Sequence, residues 1–357
     1  MKLKRFAAIV GLASVVALAG CNSSDLLDVA RKANQPLPRD VVLKMKANGM
    51  TKSSPVMMRI FKEEAVLEVW KRKDTGRYAL VKTYEICKYS GDKGPKYKEG
   101  DRQAPEGFYL VNRHLMNPNS SYYLSFNLGF PNKYDRSHGR TGSNLMVHGD
   151  CSSAGCYAMT DENVAEIYGF ARDALAGGQK AFQVQAFPFR MTAENMAAHR
   201  NEQHIEYWKM LKEGYDHFEL TKLPPKIDVC DRRYMFNRNA LNGEFQANAS
   251  CPKTEMPHSL AVAYTSHQNK YALEYEGIVA KLEGRKPKDV KLLPIPAPPA
   301  PEPIVEETAT PISAPMVAPA NNAPFTIIPA APAIIATASA SGPAAILANP
   351  AEPETAQ

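Results

Sequence analysis

Sixteen of the chain's 28 prolines fall from Pro287 onward, in a Pro/Ala-rich stretch. Residues 292–357 add five Glu and no Lys or Arg. Such a segment buries too little apolar surface to offset its ordering entropy, so 287–357 is expected to be a disordered tail. The other end excludes a core for a different reason. Residues 1–20 carry Lys2, Lys4 and Arg5 and no acid, followed by a short apolar run from Phe6 to Leu18. This is the pattern of a bacterial export signal. It is too short to cross a bilayer as a helix, which takes about 20 apolar residues. A folded body is thereby confined to roughly residues 36–286. Residues 21–291 carry a formal charge of +8, so the +6 of the whole chain is an average over unlike pieces. With 44% apolar and 22% charged residues, the composition excludes a collagen, a coiled coil and a multi-pass membrane protein.

Leu18-Ala19-Gly20-Cys21 resembles the lipobox of bacterial lipoproteins. That resemblance implies that Cys21 is acylated and becomes the first residue of the mature chain. Several acyl chains anchor a protein stably, whereas one does not. Asn22 rather than Asp after the Cys resembles Gram-negative lipoproteins sent to the outer membrane. The expected location is therefore the periplasmic side of that membrane. Residues 21–54 read as a polar, irregular tether to Pro38 followed by a short helix over Val41–Asn48. An exported chain sits where disulfides persist. With Cys21 set aside, Cys87, Cys151, Cys156, Cys230 and Cys251 remain. That number is odd, so at least one thiol is unpaired or pairs between chains. Spacing leaves the pairing open, including the reading in which all are buried and unbridged. Cys230 and Cys251 have the most loop-like surroundings.

In the body, Val56–Phe61, Val66–Trp70 and Tyr78–Cys87 are rich in β-branched and aromatic residues and are separated by polar turns. They read as an antiparallel meander. Gly91 to Gly107 reads as a loop. Phe108–Val111, Tyr122–Phe126, Leu145–Val147 and Phe182–Phe187 read as further strands. Asp161 is placed as the N-cap of a helix with Val164, Ile167, Tyr168, Ala171 and Leu175 on one face, stopped by Gly177-Gly178. Thr192 caps a second helix predicted to run to about Lys212, with Trp208 on its apolar side. His199 and His204, five apart, read as its solvated surface. Ile227–Phe236 reads as a pair of strands and Tyr264–Leu282 as a helix. Trp70 and Trp208 are assigned to the core. The fold class is α+β, mainly antiparallel β.

The chemistry is concentrated in Val147-His148-Gly149-Asp150-Cys151-Ser152-Ser153-Ala154-Gly155-Cys156-Tyr157-Ala158. A Cys nucleophile needs a base, a group to orient that base, and N–H donors for an oxyanion. Here a His leaves an apolar strand and a Cys follows eight residues on. Gly155 lets the backbone approach a carbonyl closely. The Gly155 and Cys156 N–H groups are placed as oxyanion donors. Zinc would want three or four ligands at recognisable spacing, so no metal or cofactor is expected.

Ser153-x-Gly155-Cys156 after a strand ending in His148-Gly149 resembles the active-site signature of bacterial L,D-transpeptidases, with a YkuD-type catalytic domain. Ala104-Pro105-Glu106-Gly107-Phe108-Tyr109, then Asn117-Pro118-Asn119-Ser120 and Leu124-Ser125-Phe126, resemble that family's hairpin. The run Met146–Asp161 most resembles its YafK-like branch. The resemblance implies a β-sandwich-like catalytic domain with flanking helices over 55–190, and a mixed, largely helical extension over 191–286 packed on it. Ala154 and Ala158 stand where most of the wider family has His and Arg. Substrate contacts are therefore assigned to Ser153, Tyr157, Arg140 and Arg190, the last two on charge alone. His138, eighteen residues before Cys156, is a rival base, but it lies in the polar run Asp135–Arg140.

The resemblance implies a peptidoglycan stem peptide as substrate. Cys156 would be the nucleophile and His148 the base, oriented by the Gly149 backbone carbonyl. An amine would resolve the thioester as transpeptidation, and water as hydrolysis, trimming stems or releasing wall-linked lipoprotein. A non-catalytic peptidoglycan-binding lipoprotein is the remaining reading, and a structural tether bridging membrane and wall a weaker one. A buried or bridged Cys151 is preferred to a Cys151–Cys156 redox switch. The basic body reads first as solvated surface lysines, and second as weak attraction to an anionic wall polymer or membrane surface. No aromatic-interleaved basic stripe points to nucleic acid.

Overall fold

Strand β1 (Val56–Phe61) is buried along its whole length, and its alternating side chains divide the interior in two. The computed structural model describes residues 23–297; the expected export signal, Cys21, Asn22 and the residues beyond 297 lie outside the described residues. In a strand, successive side chains point to opposite faces. Val56, Met58 and Ile60 enter one apolar cluster. Phe61 enters a second, and Met57 packs with Tyr78 and Phe218. Arg59 shares this second face. Its guanidinium lies 4.3 Å from the Tyr215 ring centre and is paired with Glu219 at 2.5 Å.

β1 pairs with β2 (Val66–Arg72), and β2 with β3 (Tyr78–Glu85), each antiparallel. This is the expected meander. The first sheet is completed by β10 (Ala181–Phe187), parallel to β1, and by β5 (Gly107–Asn112). A second five-stranded sheet has the order β4 (Lys88–Tyr89), β9 (Tyr157–Ala158), β8 (Met146–His148), β7 (Tyr123–Asn127) and β6 (Met116–Ser120). Both sheets are mostly antiparallel, so the fold is α+β as read. Helices α1 (Ser23–Ala33) and α2 (Arg39–Ala47) precede β1. The short α3 (Lys133–Ser137) follows β7, and α4 (Asp161–Ala176) follows β9. Both sheets and α4 contribute to the first cluster, through residues such as Leu67, Phe126, Val147, Ile167 and Phe182.

The second cluster belongs to the extension. Helices α5 (Ala193–Ala198) and α6 (Ile205–Thr221), with the ribbon β11 (Ile227–Cys230) and β12 (Arg233–Phe236), bring Trp208, Leu211 and Phe236 against Phe61, Phe108 and Phe187. A smaller ribbon, β13 (Asn239–Ala240) with β14 (Thr254–Glu255), and the long α7 (His258–Leu282) close the described body.

Three expectations change. The tether read as irregular before Pro38 contains α1, and Leu37 behind it is buried in the first cluster. Asp161 is not the cap of α4. Thr160 is, accepting from Asn163 N at 3.2 Å, because Asp161 already occupies the first turn. The second helix is two helices. His199 ends α5, stacking on Phe189 at 4.4 Å and meeting Glu63 at 2.9 Å. It is therefore tethered to the sheet domain rather than lying on a solvated helix face. The disulfides, left open by spacing, join Cys87 to Cys151 and Cys230 to Cys251. Among the described residues Cys156 is the free cysteine.

Candidate active site

Strand β8 lies between β7 and β9, and its register with β9 sets Val147 opposite Tyr157 and His148 opposite Ala158. Val147 and Tyr157 are fully buried in the first cluster. The alternation then puts Met146, His148, Ala158 and the preceding Cys156 on the other face. Cys156 thus falls beside Met146, whose N–H approaches its Sγ at 3.4 Å. The thiol itself points toward Asn144 O at 3.5 Å.

His148 is 3% exposed. Its Nδ1 lies 2.5 Å from the Gly149 carbonyl, which can only accept, so Nδ1 carries the proton. Nε2 is left as the basic nitrogen. Burial holds the imidazole below the usual histidine range, with the Gly149 bond acting the other way. Burial likewise pushes the Cys156 thiol up, with the Met146 N–H and the Lys96 charge pulling it back. The two groups therefore rest as neutral thiol and neutral imidazole near pH 7, not as a preformed ion pair. Tyr122 covers the ring of His148 at 4.7 Å and is 45% exposed. No sequence pattern singles it out, because its role depends on where the β6–β7 hairpin folds.

Gly149 is held on both sides. Its N–H donates to Tyr122 O at 3.0 Å and to Leu124 O at 3.2 Å. A Cβ here would lie 2.4 Å from Asp161 Oδ1 and 3.0 Å from Tyr122 O. Asp161 Oδ1 in turn accepts from Asp150 N at 2.9 Å, fixing the left-handed Asp150 that follows. Gly149→Ala is expected to cost about 1–3 kcal/mol through overpacking. It also shifts the carbonyl that orients His148. Thermal denaturation and the pH dependence of turnover check both effects, and an unchanged Tm would contradict them.

A second loop, between β4 and β5, braces the first. Ser90 Oγ contacts Ser153 O at 2.8 Å, Tyr157 donates to Pro105 O at 2.7 Å, and Ala104 N to Ser90 O at 2.9 Å. The loop is pinned from below by a fully buried ion pair, Lys62 to Glu106 at 3.0 Å. Glu106 also accepts from Gly94 N at 2.6 Å and from Trp208 Nε1 at 2.9 Å. The extension thus reaches the bracing loop through Glu106.

A sequence profile of the L,D-transpeptidase catalytic domain (YkuD) matches residues 53–181. The Escherichia coli (strain K12) protein named "Putative L,D-transpeptidase YafK" is 48% identical over 185 residues, covering 52% of this chain and 75% of that protein. This chain belongs to the YkuD L,D-transpeptidase family. The counterpart in Escherichia coli O157:H7 matches equally. Among solved structures, the helical cell shape determining protein Pgp2 from Campylobacter jejuni is 20% identical, with a TM-score of 0.30 over 54% of this chain and 80% of that one. Bd1075 of Bdellovibrio bacteriovorus is 16% identical, with a TM-score of 0.29 over 49% and 76%.

Within this member of the YkuD family the structure brings His148, Gly149, Gly155 and Cys156 onto one loop and strand pair. The four residues assigned to substrate contacts have partners within the fold. Tyr157 is fully buried and braces Pro105, so it offers no face to a substrate. Arg140 is buried and paired with Asp135 at 2.9 Å between Tyr134 and Tyr207. Arg190 is held by Glu68 at 2.6 Å over the Phe61 ring. Charge alone does not separate a guanidinium committed to the fold from a free one. Ser153 is engaged within its own loop, accepting from Cys156 N at 3.1 Å. The rival base His138 has its Nε2 at Arg232 O, 2.8 Å away, and its ring on Tyr134.

Proposed function

We propose that this protein is an L,D-transpeptidase of peptidoglycan stem tetrapeptides that works through a thioester on Cys156. The observation that carries the reading is a free, half-buried Cys156 leading into β9, next to β8, whose His148 has its Nδ1 committed to a carbonyl. His148 Nε2 takes the Sγ proton as the thiolate attacks the carbonyl of the stem's third residue. The imidazolium then protonates the terminal D-alanine amine as the peptide C–N bond breaks. An amine of a second stem, arriving with its proton for His148, releases the acyl group as a new peptide bond.

Incubation with purified wall fragments tests this. New crosslinks with loss of D-alanine support it. Trimmed stems or released lipoprotein without crosslinks make the enzyme a hydrolase of the same site, and unchanged fragments contradict catalysis.

The neutral resting pair has a pH signature. A lowered histidine pKa keeps Nε2 unprotonated to below the ordinary value of about 6.5. kcat/KM is therefore expected to stay level from pH 8 down to about 6.5 and to fall only in more acidic buffer. A decline beginning at or above pH 7 would contradict it.

The anchor is part of the same reading. Cys21 is proposed to be lipidated and to hold the enzyme at the periplasmic side of the outer membrane. Cys21→Ser is expected to lose labelling by radioactive palmitate and to leave the membrane fraction. Retained labelling would contradict the assignment.

A further inference from the structure

The two amides that would hold an oxyanion are already occupied. Gly155 N and Cys156 N both donate to Ser153 Oγ, at 3.3 and 3.1 Å. The same oxygen donates to Cys156 O at 2.8 Å. A hydroxyl has one proton and two lone pairs, so these three bonds exhaust it. Ser90 Oγ stands 3.0 Å from Ser153 Oγ while it contacts Ser153 O at 2.8 Å. Gly155 adopts φ +135°, a conformation that suits glycine and aims both N–H groups at one point.

We propose that Ser153 and Ser90 form a latch on the oxyanion site: the Ser153 hydroxyl stands in for the oxyanion at rest and is displaced onto Ser90 when the acyl oxygen gains charge. The inference rests on the transpeptidase reading of Cys156 and adds a positioning pair to it. Its physical basis is a difference in hydrogen-bond strength. A neutral carbonyl oxygen offers the amides no more than the neutral hydroxyl does. An oxyanion accepts bonds about twice as strong as neutral ones. The exchange is therefore favourable only as the tetrahedral species forms, so it stabilises the transition state more than bound substrate. Ser90 lowers the cost of displacement by accepting or donating to the released hydroxyl, which would otherwise be left unpaired in a half-buried loop.

The test uses the mature protein with Ser153→Ala, Ser90→Ala and the double substitution. A synthetic stem tetrapeptide ending in D-alanine is the probe. The single-turnover rate of thioester formation on Cys156 is followed by quenched mass spectrometry. One net hydrogen bond is worth roughly 1 kcal/mol, a factor of about five. Ser153→Ala is expected to speed thioester formation about fivefold, having no hydroxyl to displace. Ser90→Ala is expected to slow it by a similar factor, and the double variant should behave as Ser153→Ala. A slowing in Ser153→Ala that tracks a lower Tm would overturn the latch and make Ser153 a brace.

Hydrogen exchange of 15N-labelled Gly155 and Cys156 amides provides a readout independent of turnover. Both should be protected in the wild type and exposed in Ser153→Ala. Unprotected wild-type amides would overturn the latch. Absence of any wild-type thioester overturns the transpeptidase reading and the latch with it. That result is told apart from a failed latch alone by protection that the wild-type amides retain.

Discussion

Cys156→Ala is expected to abolish thioester formation and every downstream product, with the fold retained. Among the described residues the thiol makes two weak hydrogen bonds, at 3.4 and 3.5 Å, and is not part of either disulfide. Its removal should change stability by less than about 1 kcal/mol. His148→Ala is expected to lower the rate of thioester formation by about 10²–10⁴, the range for a lost general base. Circular dichroism and thermal denaturation establish that the Cys156→Ala chain is folded, and D-alanine release measures activity. Residual release above the uncatalysed rate in that variant would place the nucleophile elsewhere.

The largest expected effect on stability lies away from the chemistry. Glu106→Gln leaves the Lys62 ammonium fully buried without its carboxylate. Burial already lowers the Lys62 pKa, with Glu106 as the principal opposing influence. Breaking a buried pair by removing one partner costs about 3–5 kcal/mol. For a body of this size that is a fall in Tm of about 6–20 °C. The same change weakens the grip of Trp208 on the loop that carries Ser90, so turnover should fall at temperatures where the chain remains folded. Lys62→Met combined with Glu106→Gln removes the buried charge and should restore most of the stability. An unchanged Tm in the single variant would show that the pair holds nothing.

The strands that were legible are the longer apolar ones, whereas the two-residue β4, β9, β13 and β14 were not. β1, β2 and β3 are rich in apolar, β-branched and aromatic residues, and polar turns separate them. α4 carries its own periodicity and its own stop at Gly177-Gly178. What was not legible depends on distant residues. The break between α5 and α6 comes from His199 meeting Phe189 and Glu63, which no local pattern encodes. The tether hid α1 because its composition is polar, while Leu37 supplies the buried contact behind it.

The candidate site was legible at His148, Gly149, Gly155 and Cys156 because chemistry demands those residue types at close spacing. Tyr122, Ser90 and Asp161 were not, since each reaches the site from another hairpin, loop or helix. Tyr157, Arg140 and Arg190 each have a partner within the fold, which sequence does not show. The Lys62–Glu106 pair escaped notice altogether. Two ordinary charges 44 positions apart carry no signal until the fold buries them together.

Everything proposed for this enzyme depends on Cys156 carrying the acyl intermediate. Rapid mixing of the enzyme with stem tetrapeptide, acid quench and peptide mapping by mass spectrometry tests it directly. The expected result is a tripeptide thioester on the peptide containing Cys156, with one equivalent of D-alanine released, and none in Cys156→Ala. D-Alanine release with no adduct on Cys156, or an adduct that persists in the variant, would contradict the account.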